Sequence, residues 1–180
     1  MCIRDRLYTL AELEAIRKVC TKYDMPLFID GARLGYALTA TGNDVTLEDI
    51  ARIADVFYIG GTKVGAMFGE AVVFTHGNMP KNFVTLVKQH GALLAKGWLL
   101  GVQFDTLFTD DLYCRIARHA NDAADRIREV LVERGYMLTF DAPTNQIFIT
   151  LDNATSERLQ RNVRLGFMEK ADDTHTVMRI

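Results

Sequence analysis

Two short runs of consecutive apolar residues constrain this chain most. Leu27-Phe28-Ile29 and Val56-Phe57-Tyr58-Ile59 each follow a helix-like segment, and each is followed within two residues by glycine. Thr9-Leu10-Ala11-Glu12 is a capping box, a hydroxyl and a carboxylate three residues apart. Leu13, Ile16, Cys20 and Tyr23 follow at helical spacing, which predicts an amphipathic helix over 9–23. Pro26 stops it. Thr46-Leu47-Glu48-Asp49 opens a second helix, to about Ala54, before the second apolar run. Ala71–Thr75 is a third strand, after a glycine-rich turn at Gly65 and Gly69. Helices alternating with wholly apolar strands predict an α/β architecture with a sheet covered on both faces.

The second half reads differently. Residues 80–106 are helical, with a break near Gly91 or Gly97, and 110–134 form a long charged helix. That helix places Arg115, Arg118, Arg126 and Arg128 on its solvated side. A strand at Asn145–Leu151, a helix at Thr155–Leu165 and strands at Gly166–Glu169 and Thr176–Ile180 make a small α+β lobe. The expected division is a large-domain part over 7–106 and a small C-terminal domain, truncated, over 107–180. Residues 1–6 are charged and patternless, and the last five are strand-like. These ends predict an internal fragment with a non-native leader at 1–6.

Composition excludes several classes. With 21 Lys plus Arg against 23 Asp plus Glu, the net charge is −2, which gives no electrostatic reason for nucleic-acid binding. No apolar run approaches the ~20 residues of a membrane span. The 3 cysteines are widely spaced, without a C-x-x-C pair, so neither a disulfide framework nor a zinc site is indicated. An odd, sparse count suits a reducing cytoplasm. His76, His90, His119 and His175 form no metal-spaced pair, and no metal site is expected.

Chemistry is concentrated where the two strands end. Asp30 follows the first, ahead of Gly31-Ala32-Arg33, and Lys63 follows the second after Gly60-Gly61-Thr62. Ligands of open α/β sheets bind beyond the carboxyl ends of strands. A lysine restrained there and partly desolvated is a nucleophile for carbonyl carbon. The order G-K-[ST] is absent, so the turn is not a phosphate-binding P-loop. An aspartate able to hold a protonated pyridine nitrogen, with a lysine able to form a Schiff base, is the protein's half of pyridoxal-phosphate chemistry. In the final strand Arg179 shares a face with Val177, and its fork-shaped guanidinium is a bidentate partner for a carboxylate.

Three segments carry a family resemblance: Leu27-Phe28-Ile29-Asp30-Gly31-Ala32-Arg33, Ile59-Gly60-Gly61-Thr62-Lys63-Val64-Gly65-Ala66 and Phe68-Gly69-Glu70-Ala71. Lys96–Gly101 and Ile116–Asn121 add to it. The chain resembles fold-type I pyridoxal-phosphate enzymes, and most of all the low-specificity threonine aldolase branch of the β-eliminating lyase family. The resemblance implies that Lys63 is the catalytic, cofactor-linking lysine and that Asp30 pairs with the pyridinium nitrogen. It implies that Arg33 lies by the cofactor and helps bind the substrate carboxylate, that Thr62 approaches the cofactor, and that Arg179 binds the substrate carboxylate. The implied reaction is cleavage of a β-hydroxy-α-amino acid such as threonine to glycine and an aldehyde. β-Elimination or transamination would use the same scaffold, and a non-catalytic α/β interaction fragment is the reading from another class. Family sites form between subunits, which implies a homodimer or homotetramer. The phosphate-binding turn and ring-stacking residue are expected outside this sequence, leaving the 180-residue chain with the lysine half of a site and little activity alone. Glu70 is given no chemistry, and Trp98 and the methionines are read as core or interface.

Overall fold

The computed structural model describes residues 6–180; residues 1–5 of the expected leader lie outside the described residues. Helix α1, Leu10–Lys22, starts at Thr9 with both halves of its capping box formed. Strand β1 is Phe28–Ile29, followed by a short helix α2, Leu34–Leu38. Helix α3, Leu47–Ile53, is capped by the Thr46/Asp49 box. Strand β2, Val56–Gly60, and strand β3, Glu70–Phe74, complete the first sheet, in order β1-β2-β3. β1 and β2 are parallel, whereas β3 runs antiparallel to β2.

The core of this sheet lies on one face. Ile29, Phe57 and Ile59 point into it and pack with Leu13 of α1, Leu34 of α2, and Ile50 and Ile53 of α3. Burying a side chain of this size contributes roughly 1.5–3 kcal/mol. The opposite face is open: Phe28 is 58% and Val72 52% exposed. Cover on both faces was expected, and among the described residues one face has it. Asp55 ties the helical layer to the strands. Its Oδ2 accepts from Arg17 Nη1 at 2.6 Å and from the Leu27 amide at 2.7 Å.

Helices α4, Phe83–Gln89, and α5, Trp98–Phe108, flank a break in which Gly91 adopts φ +70°. Trp98 is exposed, so it is not a core residue. After a 3-10 turn at Thr109–Asp111, helix α6 runs from Leu112 to Glu133. Its buried stripe, Tyr113, Ala117, Asn121 and Ala124, recurs at helical spacing and touches both halves of the molecule. Tyr113 and Ala117 belong to the first core, and Ala124 to a second. Arg128 departs from the expected solvated face: its guanidinium donates to the Thr144 carbonyl and pairs with Asp125.

The second core lies under strands β4, Phe148–Asp152, β5, Gly166–Lys170, and β6, His175–Arg179, in order β4-β6-β5 and antiparallel throughout. Ile147, Ile149, Leu151 and Met178 fill it. Helix α7, Asn153–Gln160, begins earlier than the sequence pattern indicates, because Asp152 Oδ1 accepts the Thr155 amide as its N-cap.

Candidate active site

The ends of β1 and β2 meet backbone to backbone. The Gly60 amide donates to the Gly31 carbonyl at 2.9 Å. A Cβ on Gly31 would lie 1.7 Å from the Tyr58 carbonyl oxygen, and one on Gly60 would lie 2.4 Å from that of Ala32. Both positions therefore require glycine. This contact places the turn carrying Asp30 beside the turn carrying Lys63.

Asp30 Oδ1 accepts the Ala32 amide at 3.0 Å and the Tyr58 hydroxyl. These donors, the phenol first, hold the carboxyl below the usual aspartate range, and the Lys63 charge adds to the effect. Asp30 in turn pushes the Tyr58 phenol up to about 12, so it stays a donor at neutral pH. Both residues project from the open face of the sheet.

Lys63 sits in a tight turn. The Val64 and Ala66 amides both donate to the Gly61 carbonyl, at 2.9 and 3.0 Å, and Val64 is wholly buried. The Tyr36 hydroxyl donates to the Lys63 carbonyl. The backbone is restrained as expected, but the side chain is exposed rather than partly desolvated. Thr62 is also exposed, and its hydroxyl donates to Glu70 Oε1 at 3.1 Å. Arg33 stands at the N-terminal boundary of α2 without a capping hydrogen bond and is half-buried; its charge offsets the upward push of burial on the Tyr36 phenol.

The four residues Asp30, Arg33, Thr62 and Lys63 thus cluster at one end of the first sheet. Arg179 belongs to the second. It is half-buried on β6, in register with Phe148 and Gly166, and its guanidinium lies over Gly166, 3.6 Å from where a Cβ would stand. His175 faces Asp172 at 3.1 Å at the far end of that strand. Among the described residues no group of His, Cys, Asp and Glu has the arrangement of a metal site.

Four contributors, Tyr113, Tyr36, Asn121 and Glu70, escape motif reading. Tyr113, 2% exposed, accepts the Gly35 amide at 3.1 Å and donates to the Gly60 carbonyl at 3.0 Å. One phenol thereby joins the helix after Asp30 to the strand before Lys63. Tyr36 holds the lysine turn from α2, and Asn121 of α6 donates to the Tyr36 carbonyl at 2.9 Å. Glu70 grips the same turn from β3. Only the aromatic and carboxylate character of these residues is visible in the sequence.

Known proteins resemble this chain in sequence and fold. A beta-eliminating lyase family model matches residues 6–157. Low specificity L-threonine aldolases of Pseudomonas aeruginosa and of another Pseudomonas strain are 31% and 30% identical over 155 residues. That alignment takes in 86% of this chain but 45% of each relative, so the chain spans about half their length. A Leishmania major threonine aldolase superposes with a TM-score of 0.92 at 42% identity, over 96% of this chain and 51% of that one. A putative L-allo-threonine aldolase of Listeria monocytogenes shares the fold at a TM-score of 0.73 and 17% identity, over 97% of this chain and 50% of the other. The α/β fold is therefore part of the fold-type I architecture. By its family match over most of its length, the chain belongs to the beta-eliminating lyase family.

Proposed function

We propose that the protein carrying this chain is a pyridoxal-phosphate-dependent lyase that cleaves a β-hydroxy-α-amino acid, threonine or allo-threonine, to glycine and an aldehyde. The observation that carries this reading is the joining of the Asp30 and Lys63 turns through the Gly31–Gly60 backbone contact. The donor set fits the cofactor: an anionic carboxylate suits a pyridinium nitrogen, and an exposed amine on a rigid turn suits an aldehyde. The likeness to threonine aldolases supports the choice of reaction.

Bound there, pyridoxal phosphate supplies an aldehyde for amines and a ring that accepts electrons from the substrate Cα. Asp30, oriented by Tyr58 and Ala32, holds the ring nitrogen in its protonated form. Lys63 would hold the cofactor through Nζ and, as a free amine, would carry a proton on that same atom. Arg33 and Arg179 bind the substrate carboxylate, so the bond to be broken is set by orientation. Thr62 lines the site next to Lys63.

In this reading residues 7–106 belong to the large cofactor-binding domain and 107–180 to the small one. The open face of the first sheet and the exposed Val84, Leu86, Trp98, Leu99 and Val102 need apolar cover, which supports a homodimer or homotetramer with the site at the interface. Free Cys20 and Cys114 suit a cytoplasmic location. No helix among the described residues is long and apolar enough to cross a membrane.

The test is to supply the purified full-length protein with pyridoxal phosphate and threonine. Glycine and acetaldehyde are expected in equal amounts. Pyruvate from a β-substituted amino acid, with no aldehyde from threonine, would contradict the aldolase reading.

A further inference from the structure

Glu70 is the first residue of β3, directly opposite Gly60 in the ladder. Its carboxylate reaches across to the lysine turn with both oxygens. Oε2 accepts the Gly61 amide at 2.5 Å, and Oε1 accepts the Thr62 hydroxyl at 3.1 Å. The ten residues from Gly61 to Glu70 are thus closed into a ring by one side chain. Gln103 of α5 braces the far side of that ring: its Oε1 accepts the Met67 amide at 2.7 Å. A Cβ on Gly61 would lie 2.6 Å from the Gly69 carbonyl oxygen, so the two ends of the ring touch.

We propose that Glu70 is a positioning residue for Lys63, acting through Gly61 and Thr62. The inference rests on the cofactor reading above and adds a residue to it. Two charge-assisted hydrogen bonds to consecutive residues leave the backbone before Lys63 little freedom. They also fix the sense of the Thr62 hydroxyl. Its proton is given to Glu70, so toward the cofactor it presents lone pairs. The Thr62 hydroxyl beside Lys63 therefore serves the clasp rather than the cofactor, and a side chain without it forfeits little direct cofactor binding.

The experiment compares wild type, Glu70→Gln, Glu70→Ala, Thr62→Val and the double variant Glu70→Gln/Thr62→Val in the full-length protein. Amide exchange at Gly61 in the cofactor-free protein reads the clasp directly. About tenfold faster exchange is expected in Glu70→Gln, with more in Glu70→Ala, the loss of one charge-assisted bond corresponding to roughly that factor. Pyridoxal-phosphate affinity, read from the absorbance of the lysine-bound cofactor, should weaken by about tenfold in Glu70→Gln, with the urea midpoint of the apoprotein nearly unchanged. The double variant should be no weaker than Glu70→Gln, because Thr62 acts through the same clasp. Unchanged Gly61 exchange in Glu70→Gln overturns the proposal. So does faster exchange with unaltered cofactor affinity, or a lowered urea midpoint that alone accounts for the loss. If wild type takes up no cofactor at Lys63, the parent reading fails separately, while exchange at Gly61 still decides whether Glu70 holds the turn.

Discussion

Removing one buried hydroxyl tests how the Asp30 and Lys63 turns are held together. In Tyr113→Phe the ring keeps its place, because the edge of the phenol packs on Gly35, whose missing Cβ would stand 2.8 Å from Tyr113 Cε1. What is lost is the oxygen between the Gly35 amide and the Gly60 carbonyl. Gly35 lies in the first turn of α2, where an amide has no partner within the helix, and both glycines are buried. Water does not reach them to compensate. A buried unsatisfied donor costs about 1–3 kcal/mol, and the carbonyl, with a second lone pair, adds less. The expected loss is therefore about 2–3 kcal/mol, a large part of the roughly 5–15 kcal/mol that holds a domain of this kind. Burial also pushes the Tyr113 phenol well above the ordinary tyrosine range, so the loss is the same across neutral pH. Urea unfolding reads it as a lower midpoint at constant slope. The same variant should bind pyridoxal phosphate less tightly, because Asp30 and Lys63 lose a shared brace. A change in stability below about 0.5 kcal/mol would refute the reasoning, since that is the range of ordinary surface substitutions.

Further outcomes follow from the same geometry. The Leu27 amide, then Arg17, hold the Asp55 carboxyl below its usual range, so its contribution is complete above the ordinary aspartate value and is lost as pH falls through the lowered one. Asp55→Asn should therefore cost about 1–2 kcal/mol at pH 7, with the gap to wild type closing on acidification, as read from urea midpoints at both pH values. Tyr58→Phe removes the main cause of the depressed Asp30 carboxyl, so cofactor affinity should fall off at higher pH than in wild type; an unmoved acid limb in a binding titration would contradict this. Gly31→Ala and Gly60→Ala should each prevent folding or cofactor uptake, because the added carbon meets backbone rather than a movable side chain. Circular dichroism and the cofactor absorbance distinguish those two results.

The placement of the candidate residues was largely legible because strand ends are where the fold rules place ligands. The Thr9 and Thr46 capping boxes located α1 and α3, and the apolar runs located β1 and β2. Once those strands are fixed, Asp30 and Lys63 fall at their carboxyl ends without further information. The direction of β3 was not legible, because an apolar run has the same pattern read either way. Helix α2 was missed because Leu34-Gly35-Tyr36-Ala37-Leu38 is short, wholly apolar and interrupted by glycine, so no 3.6-residue face stands out. Tyr113 escaped because its partners lie 78 and 53 residues away, and a tyrosine at the start of a long helix looks like any core aromatic. Glu70 escaped for the opposite reason. It follows a phenylalanine and a glycine like a loop carboxylate, and only the antiparallel pairing of β3 with β2 brings it to Gly61 and Thr62. Arg128 matched a charged helix face, but the chain after α6 folds back so that Thr144 covers it.

The central claim is that Lys63 carries the cofactor. Reduction with borohydride after incubation of the full-length protein with pyridoxal phosphate, followed by peptide mass analysis, tests it most directly. The predicted result is a single pyridoxyl adduct on the peptide containing Gly61-Thr62-Lys63, absent in Lys63→Ala and weakened in Asp30→Ala. An adduct on another lysine, or one of equal yield in Lys63→Ala, would contradict the account.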